Sequence, residues 1–217
     1  MNTPHITLWI VGAGGFGREV AAYAQDAIDA GHLDARLAGF LDDTDADPQS
    51  LGCPLAMGGP IDAFRPQHQD RVIIAVGEPS DRAAIAARLE AVGAHFATLV
   101  HPLAYVSTRA TLGPGVIVAP FATVGPHAMV EAHAVVNTHA GIGHDCRIGA
   151  ASVIAPHAVL NGWVVAEAMV LVGSSAVVTA RIGLGAGCKV AAGSVVYSPV
   201  PAGALAIGNP ARLSRLG

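Results

Sequence analysis

Charge is scarce in this chain of 217 residues: only 13% are Asp, Glu, Lys or Arg, and Lys189 is the sole lysine. The formal net charge of −4 argues against general nucleic-acid binding. Long hydrophobic runs are missing as well. Near the N-terminus the longest, Ile6 to Val11, is interrupted by Thr7 and is too short for a signal-peptide core or a membrane span. The expectation is a soluble, cytoplasmic protein. The three cysteines, Cys53, Cys146 and Cys188, have neither a metal-binding spacing nor an even disulfide framework, which favours a reducing compartment. Acidic residues vanish after Glu167, whereas Arg181, Lys189, Arg212 and Arg215 follow it. Four cations and no acid suggest a polyanionic ligand at that end, or no more than an uneven scatter of few charges.

What the chain has instead is a repeat. From Val100 to Val196, every sixth residue is Val, Ile or Leu at sixteen of seventeen positions, Ala166 being the exception. Four places after each comes a second register of mostly small residues, among them Ala104, Ala110, Ala122, Ala128, Cys146 and Ser152. A period of six fits neither an amphipathic helix nor an alternating strand, but it fits a β-solenoid whose coils are short strands joined by tight corners. The large residue fills the tube and the small one sits near a corner. Stacked coils then bury a continuous core that one repeat could not bury alone.

The stretch 1–97 reads differently. A buried strand, 6–11, runs into Gly12-Ala13-Gly14-Gly15-Phe16-Gly17 and then an amphipathic helix from Arg18 to about Ala30, closed by Gly31. A glycine loop between strand and helix lets the backbone approach a phosphate and aims the helix N-terminus at it. A second strand, 36–41, ends in Asp42-Asp43, where a nucleotide-binding fold places a ribose-reading carboxylate; paired acids at a strand end also serve as plain solvated turns. Residues 44–60 read as a Pro/Gly/Asp-rich loop. A third strand, 72–76, leads through Gly77 to a helix over 81–92, with Ser80 able to cap it and Gly93 to stop it. A last strand, 95–99, hands the chain directly to the solenoid. The expected division is 1–97, a Rossmann-like nucleotide-binding domain, and 98–217, the solenoid with its tail.

Three hexads make one coil and return the chain to the same face, so His139 and His157, one coil apart, should stack. His127, His133 and His139 share one hexad position, hence three different faces, and could converge only across a subunit interface. His144 is set apart by its company. Its position faces out of the tube, and Asp145 beside it can orient one ring nitrogen and stabilise an imidazolium, the pairing that general-base chemistry needs. A surface His-Asp turn is the plainer reading. Cys146 falls in the inward small-residue register, so it reads as a packed thiol rather than a nucleophile.

With these residues in hand, the chain resembles the NeuD/PglD-type sugar acetyltransferases of the hexapeptide-repeat acyltransferase superfamily. The resemblance rests on IVGAGGFGREV, GFLDD, VIIAVGEPSDR, TLVHPLAYVS, VVNTHAGIGHDCRIG and VPAGALAIGNPAR, and it spans essentially the whole length. It implies an α/β Rossmann-like domain followed by a left-handed parallel β-helix, assembled as a homotrimer with active sites between subunits. It implies His144 as general base and Asp145 as the acid that raises its basicity. Gly14, Gly15, Phe16, Asp42, Asp43 and Gly77 match the family's sugar-nucleotide contacts, and Asn137 an active-site asparagine. Gly162, Ser174 and Ala192 match contacts to acetyl-CoA, made largely through backbone. No metal is implied. One position departs: nine residues after the base the family often carries a second histidine near acetyl-CoA, and here Val153 stands there.

The reaction expected on this resemblance is acetyl transfer from acetyl-CoA to the amino group of a nucleotide-linked amino sugar. O-acetylation of sialic acid or a related glycan sugar keeps the chemistry and changes the acceptor. A γ-type carbonic anhydrase and a non-catalytic nucleotide-sugar-binding scaffold are the further alternatives.

Overall fold

The computed structural model describes residues 6–215; the side chain of Arg215, counted above among the C-terminal cations, lies outside what is described. Four strands, β1 (Ile6–Val11), β2 (Ala35–Leu41), β3 (Met57–Gly59) and β4 (Asp70–Ile74), pair in parallel in the order β3-β2-β1-β4. Helix α1 (Gly15–Asp29) follows β1 and helix α2 (Pro79–Ala91) lies after β4. Successive strand side chains point to opposite faces. Leu8 and Ile10 therefore pack toward Val20 and Ala24 of α1, while Val11, with Val72 and Ile74 of β4, packs toward Ala86 and Leu89 of α2.

Three local expectations are corrected. β3 lies inside the stretch read as loop, because Met57-Gly58-Gly59 carries none of the branched residues that mark a strand. Gly58 is there because a side chain would collide with the Trp9 ring. Residues 95–99 do not form a full strand: a single bridge joins Val72 to Phe96 before the chain enters the solenoid at Leu99–Val100. α2 begins earlier than expected, with Glu78 as N-cap and Pro79 in the first turn, so Ser80 lies inside the helix and caps nothing.

From Leu99 onward the chain forms a left-handed parallel β-helix. Short strands one coil apart pair in parallel, as Val135–Val136 does with Ile117–Val118 below and Val153–Ile154 above. The first face starts at Leu99–Val100, the second at Tyr105–Val106 and the third at Thr111–Leu112. Both inward registers are buried, from Val116 and Val118 to Val196 and Val200. The far end is capped by a hairpin, Ala204–Gly208 with Ala211–Arg215, added to the first face beside Lys189–Val190.

From Gly115 to Gly193 each corner turns through a residue with left-handed backbone. Phe121, His127, His133, His139, Asp145, Ala151, His157, Trp163, Met169, Ser175 and Arg181 all have φ between 57° and 66°. That conformation costs an L-residue about 1–2 kcal/mol. Each hexad also buries a Val, Ile or Leu worth about 1.5–3 kcal/mol and a smaller inward residue, so burial outweighs the corner. The shared hexad position of His127, His133 and His139 is thus a corner, not a face.

The two parts share a core. Ile117, Val135 and Val153, pointing outward from the first face, pack with Leu8, Ile10, Val20 and Ala24. On the α1 side, His101 Nε2 lies 3.0 Å from Asp26 Oδ2. On the α2 side, Arg82 is fully buried, and its guanidinium donates to the carbonyls of His133, Ile74 and Val76. Lys189 Nζ reaches Glu78 Oε1 at 2.9 Å.

Candidate active site

His144 and Asp145 stand at the corner between the second and third faces. Asp145 takes the left-handed place, φ 58°, which Asp tolerates better than most residues. The turn brings its Oδ2 to 2.8 Å from His144 Nδ1, and both side chains are exposed, at 38% and 47%. With Nδ1 held by a carboxylate, Nε2 is the nitrogen left to take or give a proton. One coil up at the same corner is Gly162. A β-carbon there would lie 2.6 Å from His144 Cε1 and Nε2, so the imidazole rests where only a glycine leaves room. The Trp163 ring stands edge-on to His144, with centroids 4.4 Å apart and an interplanar angle of 88°.

Cys146 faces inward beneath this corner, 1% exposed, and its thiol donates to the Asn161 carbonyl at 3.1 Å. Burial raises the Cys146 pKa and pushes that of Cys188 up to about 11. Both thiols stay neutral and packed, as their register implied.

Across the second face, at its other corner, lies Asn137. Its Oδ1 accepts from the backbone N–H and hydroxyl of Thr138. Ser174 and Ala192 stack in the same corner above Thr138, one coil apart and both exposed. The residues matched to the acetyl-CoA site are therefore divided: Gly162 lies with His144, and Ser174 and Ala192 lie with Asn137, flanking one face from its two edges. His139 and His157 stack as their one-coil spacing requires, with centroids 4.8 Å apart and rings 4° from parallel, and Phe121 stacks below them. His133 is buried under α2, so it is unavailable to a subunit interface.

The N-terminal candidates gather at the carboxyl ends of the strands, where open α/β sheets hold ligands. Gly12, Asp42, Asp43 and Val76 line a cavity of about 340 Å³. Gly14, Gly15 and Gly77 are exposed, and an added β-carbon at any of them would meet open space. The glycines demanded by packing are Gly12 and Gly17, neither of them among the residues matched to ligand contacts: at Gly17 a side chain would strike the Gly12 carbonyl. Phe16 is half-buried against the α1 side of the core. Asp42 Oδ2 accepts the Ala13 N–H at 2.6 Å, and Oδ1 accepts from Thr44. Burial alone would raise the Asp42 pKa, but these hydrogen bonds outweigh it and lower it. Asp43 bonds the Ile61 N–H and pairs with Arg88. Both carboxylates thus also hold the loops around the cavity.

The C-terminal cations are partly engaged within the chain, which weakens the polyanion reading. Lys189 pairs with Glu78, and Arg181 lies over the Trp163 ring at 4.1 Å from its centroid. Among the described residues no group of three His, Cys, Asp or Glu is arranged to hold a metal, and no helix is long and apolar enough to cross a membrane.

The family model described as the PglD N-terminal domain matches residues 7–89. A GDP-perosamine N-acetyltransferase of Escherichia coli O157:H7 is 30% identical over 120 residues, 53% of this chain and 54% of that protein. The match thus spans about half of the curated relative's length. The acetyltransferase domain of PglB from Neisseria gonorrhoeae FA1090, solved with acetyl coenzyme A, superposes with a TM-score of 0.85 at 30% identity, covering 96% of this chain and 98% of that one. The chain belongs to the PglD-type sugar acetyltransferases. PerB from Caulobacter crescentus, solved with CoA and GDP-perosamine, matches with a TM-score of 0.83 and 30% identity over 96% of this chain and 97% of that one.

In this PglD-type chain Val153 is 5% exposed and packed in the core shared with the N-terminal sheet and α1. It points away from the His144 corner, so nothing at that position replaces the family's second histidine from within the chain. Trp163 and Arg82 were not singled out from the sequence. The left-handed corner position of Trp163, one coil after Asp145, was a readable signal; Arg82 gave none.

Proposed function

We propose that the protein transfers the acetyl group of acetyl-CoA to the amino group of a nucleotide-linked amino sugar, with His144 as general base. The observation that carries this reading is the 2.8 Å contact of His144 Nδ1 with Asp145, which leaves Nε2 available beside Gly162. The amine attacks the thioester carbonyl as Nε2 takes its proton. The tetrahedral intermediate collapses, the C–S bond breaks, and the CoA thiolate leaves and is protonated by the imidazolium. A backbone N–H steadies the oxyanion. Asp145 favours the imidazolium formed on the way.

The nucleotide is placed in the cavity lined by Gly12, Asp42 and Asp43, with its diphosphate toward the N-terminus of α1. That helix has Gly14 as N-cap, no side-chain cap and no acid in its first turn, so its leading amides are free for an anion. Acetyl-CoA is placed between the two corners that carry Gly162 and Ser174-Ala192. Because relatives are named for GDP-perosamine, a GDP-linked amino sugar is the first acceptor to test. The working form is inferred to be a homotrimer from the resemblance to PglD-type chains, and Tyr105, Phe121, Met129 and Val165, 45–61% exposed on the solenoid, are apolar groups that neighbouring subunits would cover.

The test is thiol release from acetyl-CoA with UDP-, dTDP- and GDP-linked amino sugars and free sialic acid. Turnover with a nucleotide amino sugar that falls roughly 10²–10⁴-fold in His144→Ala is the expected result. Turnover on sialic acid alone would replace N- by O-acetylation, and full activity in His144→Ala would remove the base.

A further inference from the structure

Trp163 occupies an unusual place for an indole. It stands at a corner with φ 60°, between Asp145 one coil below and Arg181 one coil above, and 43% of its surface is exposed. The six-residue frame sets the backbone at this corner, but neither the solenoid core nor the domain contact uses this side chain. Its neighbours are instead the residues of the candidate site. The Trp163 backbone N–H donates to the His144 carbonyl at 3.0 Å, and the Arg181 backbone N–H donates to the Gly162 carbonyl at 3.0 Å. The indole is perpendicular to the His144 ring, and the Arg181 guanidinium lies over it. Arg181 has no carboxylate partner among the described residues, so the indole is the group that holds its charge in place.

We propose that Trp163 is the positioning residue for His144, held in turn by Arg181. Asp145 fixes Nδ1 and Gly162 sets the depth of the ring, but both leave the exposed imidazole free to swing outward about its Cα–Cβ bond. The indole closes that path. Arg181, whose guanidinium lies over the indole ring, restrains the indole itself, so the column Asp145, Trp163, Arg181 keeps Nε2 in one orientation for an incoming amine. The proposal rests on the reading of His144 as base, and its test separates the two.

Two measurements are made on the full-length protein. In steady-state acetyl transfer, Trp163→Ala is expected to lower kcat roughly 10–100-fold through misplacement of the base, with KM for both substrates within about 3-fold. Trp163→Phe, which keeps an aromatic face, should recover at least about half of kcat, and Arg181→Ala should fall between them. In parallel, the His144 ring is followed by proton–nitrogen NMR over pH 5–9. Trp163→Ala should let the His144 side chain average over rotamers about its Cα–Cβ bond, read from three-bond couplings and from loss of contact with Asp145, whereas Trp163→Phe should keep the single wild-type rotamer. Unchanged NMR behaviour in Trp163→Ala, or kcat lost equally in Trp163→Ala and Trp163→Phe, would overturn the positioning role. If the wild type turns over no acceptor, the acetyltransferase reading falls, and the NMR comparison alone decides whether Trp163 sets the His144 ring.

Discussion

Gly162 lies so close to His144 that a single methyl group cannot be placed between them: a β-carbon would be 2.6 Å from both Cε1 and Nε2 of the ring. The contact follows from the three-hexad coil, which sets Gly162 directly over position 144. Gly162→Ala should therefore push the imidazole off its seat while leaving the backbone, whose φ at this residue is not left-handed, undisturbed. The expected outcome is a fall in kcat of roughly 100-fold with an unchanged circular dichroism spectrum and melting temperature within a few degrees. Steady-state kinetics beside a thermal melt would check it.

Asp145 combines two roles that one substitution can separate. Asn accepts the left-handed corner as readily as Asp and can still offer an oxygen to Nδ1, but it carries no charge to stabilise an imidazolium. Asp145→Asn should keep wild-type stability and lose roughly 10-fold or more in kcat. Retained activity would mean that orientation of the ring, not charge, is what Asp145 supplies.

Arg82 is a buried cation held by carbonyls from both parts of the molecule, and burial lowers its pKa to about 9, still leaving it protonated at neutral pH. Arg82→Met fills much of the volume but strips donors from the carbonyls of Ile74, Val76 and His133. A loss of about 3 kcal/mol or more in unfolding free energy is expected. Urea denaturation, followed by separate probes of the sheet and of the solenoid, would show whether the two parts also lose their common transition.

His133 makes stability depend on mild acid. Burial holds its pKa below the usual value, Glu90 pulls it back up in part, and the Arg82 charge lowers it further. The unfolded chain binds the proton near pH 6.5. Above that pH the group is neutral in both states and costs nothing; as pH falls below it, the unfolded state is protonated first and stability declines until the depressed native pKa is reached. His133→Asn, compatible with φ 60°, should flatten the fall in stability between pH 7 and pH 5 relative to wild type. Parallel slopes in urea titrations across that range would refute the assignment.

Much of this architecture is local and therefore readable in the chain. The spacing of Val118, Val124 and Val130 states the coil, because an inward residue must recur wherever the tube needs filling. The glycine loop after β1 and the Asp42-Asp43 pair state the cavity edge, because strand, turn and helix follow one another without interruption. His144 and Asp145, adjacent in sequence, announce their own pairing. The resemblance to PglD-type chains then supplied the handedness of the helix, which no period of six contains.

Other features depend on distance in the chain. The sequence by itself determined the six-residue frame, the one-coil stacking of His139 on His157 and the outward direction of His144. Only the tertiary structure decided that His133 is buried while His127 is exposed at an equivalent corner, because α2 covers one corner and not the other. It also decided that Lys189, the single lysine, pairs with Glu78, and that Arg82 crosses to the His133 carbonyl. Those contacts join residues 111 and 51 positions apart. They exist because an outward apolar stripe, Ile117, Val135 and Val153, has to be covered, and the N-terminal sheet and α1 settle against it.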